Sequence, residues 1–137
     1  MENCIFCKII ANEIPCYKLY EDDLVLAFLD VGPIALGHAL IIPKKHFENI
    51  FDMEEEYLER IALVAKKISG KMKHELGVEA VNLYHASGAA AEQTVFHFHL
   101  HVIPRKKGDN IDFTGVAAAK LNLSPEEFSE IASKLKI

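Results

Sequence analysis

The run His97-Phe98-His99-Leu100-His101-Val102-Ile103-Pro104 alternates imidazole and apolar side chains residue by residue. Extended backbone turns successive side chains to opposite faces. The period of two therefore predicts a strand with His97, His99 and His101 on one side and Phe96, Phe98, Leu100 and Val102 on the other. The apolar side has an evident use against a helix. The imidazole side contributes little packing, and mutual repulsion between charged neighbours depresses their pKa values. Two chemistries suit such a row. A metal ion can take two adjacent members, but the outer pair stands about 13 Å apart along a strand and cannot close on one ion. Alternatively, one neutral imidazole is a nucleophile, and its neighbours donate hydrogen bonds to an anionic substrate and its leaving group.

Working outward, this strand is expected over residues 94–103, with Pro104 as its stop. Residues 17–20 and 24–29 are apolar runs separated by Glu21-Asp22-Asp23, the pattern of a hairpin, and residues 38–42 form a third strand before Pro43. Asp52-Met53-Glu54-Glu55 has the form of a capping box. It opens a long helix whose inward stripe is Leu58, Ile61, Ala62, Ala65, Ile68 and Met72, with Gly77 as the stop. A fourth strand follows over residues 78–84. Ser124-Pro125-Glu126-Glu127 opens a C-terminal helix with Phe128, Ile131, Ala132 and Leu135 inward, and Ile5, Phe6, Ile9 and Ile10 recur at helical spacing near the start. The expectation is an α+β fold: a mostly antiparallel five-stranded sheet, one long helix and short terminal helices, with the helices on one face.

A length of 137 residues suits one domain, and 50% hydrophobic with 26% charged residues describes a globular chain. The net charge of −5, without a basic tail, argues against nucleic acid as a partner. Asp30, His38 and Lys44 interrupt the richest apolar stretch, so no membrane span is expected, and Met1-Glu2-Asn3-Cys4 does not open a signal peptide. The expected compartment is the cytoplasm. Three cysteines are too few for a disulfide scaffold, and Cys4-Ile5-Phe6-Cys7 reads as half a metal site or a redox pair, with Cys16 a packing residue.

A second histidine-bearing strand supplies context. His38 precedes Ala39-Leu40-Ile41-Ile42-Pro43-Lys44-Lys45-His46, and Gln93-Thr94-Val95-Phe96 precedes the triad. With Ile5-Phe6-Cys7-Lys8-Ile9-Ile10 and Phe28-Leu29-Asp30-Val31, these segments resemble, in order, the histidine-triad nucleotide-binding (HIT) proteins, specifically their bacterial protein-kinase-C-inhibitor-like (Hint) branch. The resemblance covers residues 3–105 as a HIT domain; residues 106–137 read as a tail with a short helix in the same unit.

The resemblance implies that His99 is the nucleophile toward the α-phosphorus of a nucleotide. His101 would hydrogen-bond the α-phosphate and leaving-group region, and His38 would be a further pocket histidine. Asp30 matches the carboxylate that takes the ribose hydroxyls. Ile5, Phe6, Ile9, Phe28, Leu29 and Val31 match the apolar slot around the base, and Gln93 and Thr94 stand in the phosphate-contacting segment. The resemblance also maps a structural zinc onto Cys4, Cys7, His46 and His97, and implies a two-fold homodimer.

Two departures stand out. Ala86 replaces the family's Asn, and Glu92 replaces a Gly whose backbone approaches phosphate. The implied reaction is hydrolysis of a purine nucleoside phosphoramidate or adenylate, with AMP-like nucleotides as the partner. Dinucleoside polyphosphate hydrolysis and a regulatory nucleotide-binding role are the alternatives. His85, just before the loop, and the basic groups Lys44-Lys45 and Arg105-Lys106-Lys107 are further candidates for substrate contact.

Overall fold

Two short runs, Val25–Leu29 and Ala39–Pro43, are buried at every position, so each of their faces must be covered. They are the second and third strands, β2 and β3, of a five-stranded antiparallel sheet. It is completed by β1 (Lys18–Glu21), β4 (Ala80–Tyr84) and β5 (Leu100–Arg105), in the order β1-β2-β3-β5-β4. The structure, a computed structural model, describes residues 3–112 and 119–137.

One face of the sheet presents Val25, Ala27, Leu29, Ala39, Ile41 and Val102 to the long helix α2 (Glu55–Leu76) and to α3 (Pro125–Leu135). The other presents Leu26, Phe28, Leu40 and Ile42 to α1 (Ile5–Ile10), which contributes Phe6 and Ile9. The expectation that all helices share one face is therefore corrected: the doubly buried central strands need α1 on the second face. Among the described residues, no helix is long and apolar enough to cross a membrane.

The fold class agrees with the sequence reading, and several boundaries do not. Residues 94–99 lie outside the ladder, because the Phe98 N–H bonds the Phe47 carbonyl in a loop at 2.8 Å instead of a strand partner. Pro104 continues β5 rather than ending it. Pairing with β3 stops at Val102, so that flank is a local edge where a missing N–H costs little. Asp52 does not cap α2: its carboxylate accepts the Glu48 and Asn49 N–H groups at 3.0 Å each, and Glu54 stands at the N-cap without a side-chain bond. Leu58 and Ala62 are exposed, and Val64 takes an inward place. The Ser124 capping box forms as expected, and Gly77 ends α2 with φ 65°.

Gly37 fixes the entry to β3. Its φ is 95°, and a Cβ there would lie 2.7 Å from a Leu76 methyl, so only glycine lets the chain pass α2 at this point. His38 is placed by that passage.

Candidate active site and metal centre

The β3–β5 register pairs Leu40 with His101, and directly paired residues share a face. His101 therefore stands on the α1 side. Phe6 of α1 reaches over with its edge toward His99, His97 and Phe28, at ring-centroid separations of 5.1, 5.7 and 5.9 Å. Phe6, Ile9 and Phe28 are buried in this second core, and Ile5 (46% exposed) and Val31 (71% exposed) present apolar surface to solvent.

The hydrogen bonds of the triad assign its protons. The Nδ1 of His99 lies 2.8 Å from the His97 carbonyl, which can only accept, so Nδ1 carries the hydrogen and Nε2 keeps its lone pair. The Nδ1 of His38 accepts the Ile34 N–H at 3.2 Å, which puts the His38 proton on Nε2, 2.9 Å from His101 Nδ1. His101 then accepts at Nδ1 and carries its own hydrogen on Nε2, free to be donated. Burial is the main force keeping these rings neutral. It lowers His99 and His38 from 6.5 and pushes His101 down to about 3, where neighbouring His38, His99 and His85 add to the effect. Asp30 uses one oxygen to accept the Gly32 N–H at 2.8 Å, and its second lies 3.6 Å from His38 Nε2.

His97 is built differently. It is fully buried, and its Nε2–H donates to the Pro43 carbonyl at 2.9 Å, so Nδ1 offers a lone pair. That atom lies 3.4 Å from Cys4 Sγ, 3.6 Å from Cys7 Sγ and 3.1 Å from His46 Nδ1, and Cys7 Sγ lies 3.3 Å from His46 Nδ1. A tetrahedral ion with metal–sulfur bonds near 2.3 Å and metal–nitrogen bonds near 2.0 Å has ligand–ligand edges of roughly 3.3–3.8 Å. Three of these separations fall in that range and the nitrogen–nitrogen edge, at 3.1 Å, is slightly tighter, so the cluster is close to a tetrahedral cage, and the Pro43 carbonyl supplies the outer partner that orients a ligating imidazole. Burial pushes the Cys7 thiol up to about 11, the reverse of the acidic thiol a redox CxxC needs. Asp30, His38 and His101 also bring three donor atoms together. Here the His38 Nε2 lone pair is blocked by its proton, so that cluster is a hydrogen-bond relay, not a cage.

The loop before the triad is held from within. Gln93 is buried: its Oε1 accepts the Gly88 N–H at 2.7 Å, and its Nε2 donates to the Glu48 and Val95 carbonyls at 2.6 and 3.0 Å. With its amide so engaged, Gln93 shapes the loop from below. Thr94 is exposed and lines a cleft of about 310 Å³ with Asn3, Cys4, Ile5, Val95 and Phe96. Phe96, expected in the core, is 43% exposed, because the chain leaves the sheet there. Lys44 pairs with Glu21, Lys45 with Glu54 and Arg105 with Asp109, so these three cations hold strand ends and turns in place. Sequence reasoning left the Ile34 amide out of the site; no sequence signal marks a backbone N–H aimed at an imidazole.

Glu92 occupies the left-handed region with φ 69°, at the position where the resemblance expects glycine. The conformation costs a non-glycine residue about 1–2 kcal/mol, and glycine returns roughly 0.5–1 kcal/mol through unfolded-chain entropy. Glu92→Gly is therefore expected to raise the melting temperature by about 2–3 °C. A thermal melt showing a decrease would refute the strain at this position.

The HIT-domain family model matches residues 11–108. The chain is 48% identical, over all of its length and 99% of the relative's, to an uncharacterized HIT-like protein of Borreliella burgdorferi. It is 40% identical to an adenosine 5′-monophosphoramidase of Schizosaccharomyces pombe, over 98% of this chain and 99% of the relative. Among solved structures, a zinc-bound histidine-triad family protein of Mycobacterium smegmatis superposes with a TM-score of 0.86 at 34% identity, covering 98% of this chain and 94% of that one. With His101 on the sheet face beside α1, His97 and His99 packed against Phe6 of that helix, and this breadth of match, the chain belongs to the HIT family.

Proposed function

We propose that the protein hydrolyses purine nucleoside phosphoramidates or related adenylates at the α-phosphorus. The observation that carries this reading is the His99 ring: Nδ1–H tied to the His97 carbonyl, Nε2 unprotonated, and the imidazole held neutral by burial. The His99 Nε2 attacks phosphorus as the bond to the leaving group breaks, and the departing amine takes up a proton from solvent water, which the later attack of water on phosphorus returns. His101, bearing its hydrogen on Nε2, donates to the phosphoryl oxygens as charge gathers there. Water then cleaves the bond between phosphorus and Nε2, releasing the nucleoside monophosphate and restoring His99. The second Asp30 oxygen is assigned to the ribose hydroxyls, and Ile5, Phe6, Ile9, Phe28 and Val31 to the base. Gln93 and Thr94 belong to the phosphate side, Gln93 through the loop it shapes.

Cys4, Cys7, His46 and His97 are assigned to a structural zinc ion, which when bound would tie α1 to the segment carrying the nucleophile; with four protein ligands it would serve structure rather than substrate. The protein is read as a cytoplasmic homodimer that binds AMP-like nucleotides. The similarity to a monophosphoramidase supports the choice of leaving group.

Steady-state hydrolysis of adenosine 5′-phosphoramidate, with diadenosine tetraphosphate alongside, tests the proposal. The expected result is AMP release from the first substrate with a kcat/KM at least ten times that for the second. Preference for the dinucleotide would move the activity to polyphosphate hydrolysis. Binding of AMP with turnover of neither substrate would leave a binding protein.

A further inference from the structure

The β4–β5 ladder ends at the pair Tyr84–His101, two residues short of the nucleophile's own backbone. Beyond that point His85 takes over with its side chain. Its Nδ1 lies 3.1 Å from the His99 carbonyl, so Nδ1 carries the hydrogen and donates it. Nε2 is then an acceptor, and the Ser87 hydroxyl stands within hydrogen-bond distance to donate to it. Ser87 Oγ in turn accepts the Ile50 N–H at 3.0 Å. The three bonds run in one direction, from the Ile50 amide through Ser87 and His85 to the His99 carbonyl, and each link fixes the proton of the next. The imidazole also lies over the Phe98 ring at a centroid separation of 4.1 Å and an angle of 29°, and Phe98 is anchored in the main core.

We infer that His85 is a positioning residue for the His99 nucleophile, holding the His99 main chain through its carbonyl and linking it to the Ser87–Ile50 contact. The inference rests on the proposed role of His99 and goes beyond it. His99 lies outside the strand, where ladder bonds would otherwise hold its backbone. Its ring is tied to the carbonyl of His97, two residues earlier, and the Phe98 N–H is tied to Phe47. The bond from His85 fixes the far side of the same residue. A small misplacement of a nucleophile costs rate because the attack geometry is demanding, whereas substrate affinity is assigned to Phe6, Phe28 and Asp30, and both ring nitrogens of His85 are engaged by His99 and Ser87 instead.

The test compares wild type with His85→Phe, which keeps an aromatic ring over Phe98 and removes both hydrogen bonds, and with His85→Asn, whose amide can replace the Nδ1 donor. Turnover of adenosine 5′-phosphoramidate is measured together with the carbonyl-carbon and ring-nitrogen NMR signals of His99. The expected result is a fall in kcat of about 10- to 100-fold for His85→Phe, with KM within threefold, and recovery of most of kcat in His85→Asn. The His99 carbonyl signal should shift in the Phe variant and return toward wild type in the Asn variant. Ser87→Ala leaves the last bond in place and should cost only a few-fold. Full kcat in His85→Phe overturns the inference, and so does a lower melting temperature with unchanged kcat. If wild type turns over no substrate, the proposed reaction falls. The His99 signals then decide the positioning role alone: a carbonyl signal unmoved in His85→Phe overturns it, and a shift reversed by Asn supports it. Should His85→Phe fail to fold, His85→Leu, which also removes both hydrogen bonds, carries the same comparison against His85→Asn.

Discussion

His99→Ala is expected to lower turnover of adenosine 5′-phosphoramidate by at least about 10⁴-fold while AMP affinity stays within a few-fold of wild type. The asymmetry follows from what the ring does. In the proposed reaction its Nε2 lone pair forms the bond to phosphorus, and no other imidazole in the row can take its place. His97 directs its lone pair at Cys4, Cys7 and His46, and His101 accepts at Nδ1 from His38. In the proposed reading nucleotide binding draws on Phe6, Phe28 and Asp30, which the substitution leaves in place. Rapid-quench experiments with wild type should show a nucleotidylated protein that His99→Ala does not form. The pH profile supplies a second reading. The neutral ring is the active form, and burial lowers the His99 pKa from 6.5, so neutral His99 persists below that value. The rate should hold as pH falls from 8 through 6.5 and decline only at lower pH, through the lowered pKa. An acid limb centred at or above 6.5 would contradict a buried nucleophile. Retention of most activity in His99→Ala would remove the covalent mechanism altogether.

The parts of this molecule legible in its sequence are those set by local composition. Val25–Leu29 and Ala39–Pro43 announce strands because they are short, nearly unbroken apolar runs bounded by charged residues and turn signals, and Ser124 with Glu127 announces a helix start because both capping bonds lie within four residues. What failed depended on a distant partner. The alternation at 97–101 looks the same whether the chain is in a ladder or beside it, and only the Phe47 carbonyl decides that β5 begins at Leu100. Pro104 reads as a stop until the shorter reach of β3 is known. Asp52 reads as a helix cap until its carboxylate is seen closing a turn over Glu48 and Asn49.

The site divides in the same way. The triad could be picked out residue by residue, but the division of labour within it came from the family resemblance and not from the pattern. His38 and His101 are 63 positions apart and meet only through the β3–β5 register. The four sulfur and nitrogen donors lie up to 93 positions apart, and a lone CxxC specifies neither histidine. The family resemblance, not spacing, supplied that set. Proton positions were beyond any sequence pattern, since they follow from carbonyls and amides such as those of His97 and Ile34.

Cys4→Ala is expected to release bound zinc and lower the melting temperature by on the order of 10 °C. The reason is mechanical as much as electrostatic. α1 has only six residues, too few to persist as a helix without tertiary anchors. Its attachments are Phe6 and Ile9 in the second core and the two cysteines at its start, where the Cys7 N–H also bonds Cys4 Sγ at 3.3 Å. A tetrahedral ion bound to Cys4, Cys7, His46 and His97 would bind α1 to the loop after β3 and to the residue two before the nucleophile. Structural zinc contributes about 10–16 kcal/mol of apparent binding energy in isolated fingers. A preformed core retains part of the fold without the ion, and a loss of about 3 kcal/mol in a domain of this size corresponds to about 10 °C. The effect should reach catalysis as well. Loosening α1 moves Phe6, which packs edge-on against both His97 and His99, so kcat should fall together with thermal stability. Cys16→Ala serves as the control: Cys16 packs at the edge of the second core, outside the four-ligand set, and its substitution should leave one zinc per chain. Metal analysis of wild type, Cys4→Ala and Cys16→Ala, paired with melts before and after chelation, checks each step. Wild-type protein purified without any bound metal, or protein stripped of zinc that melts where the loaded form does, would show that these four side chains pack together without a structural ion.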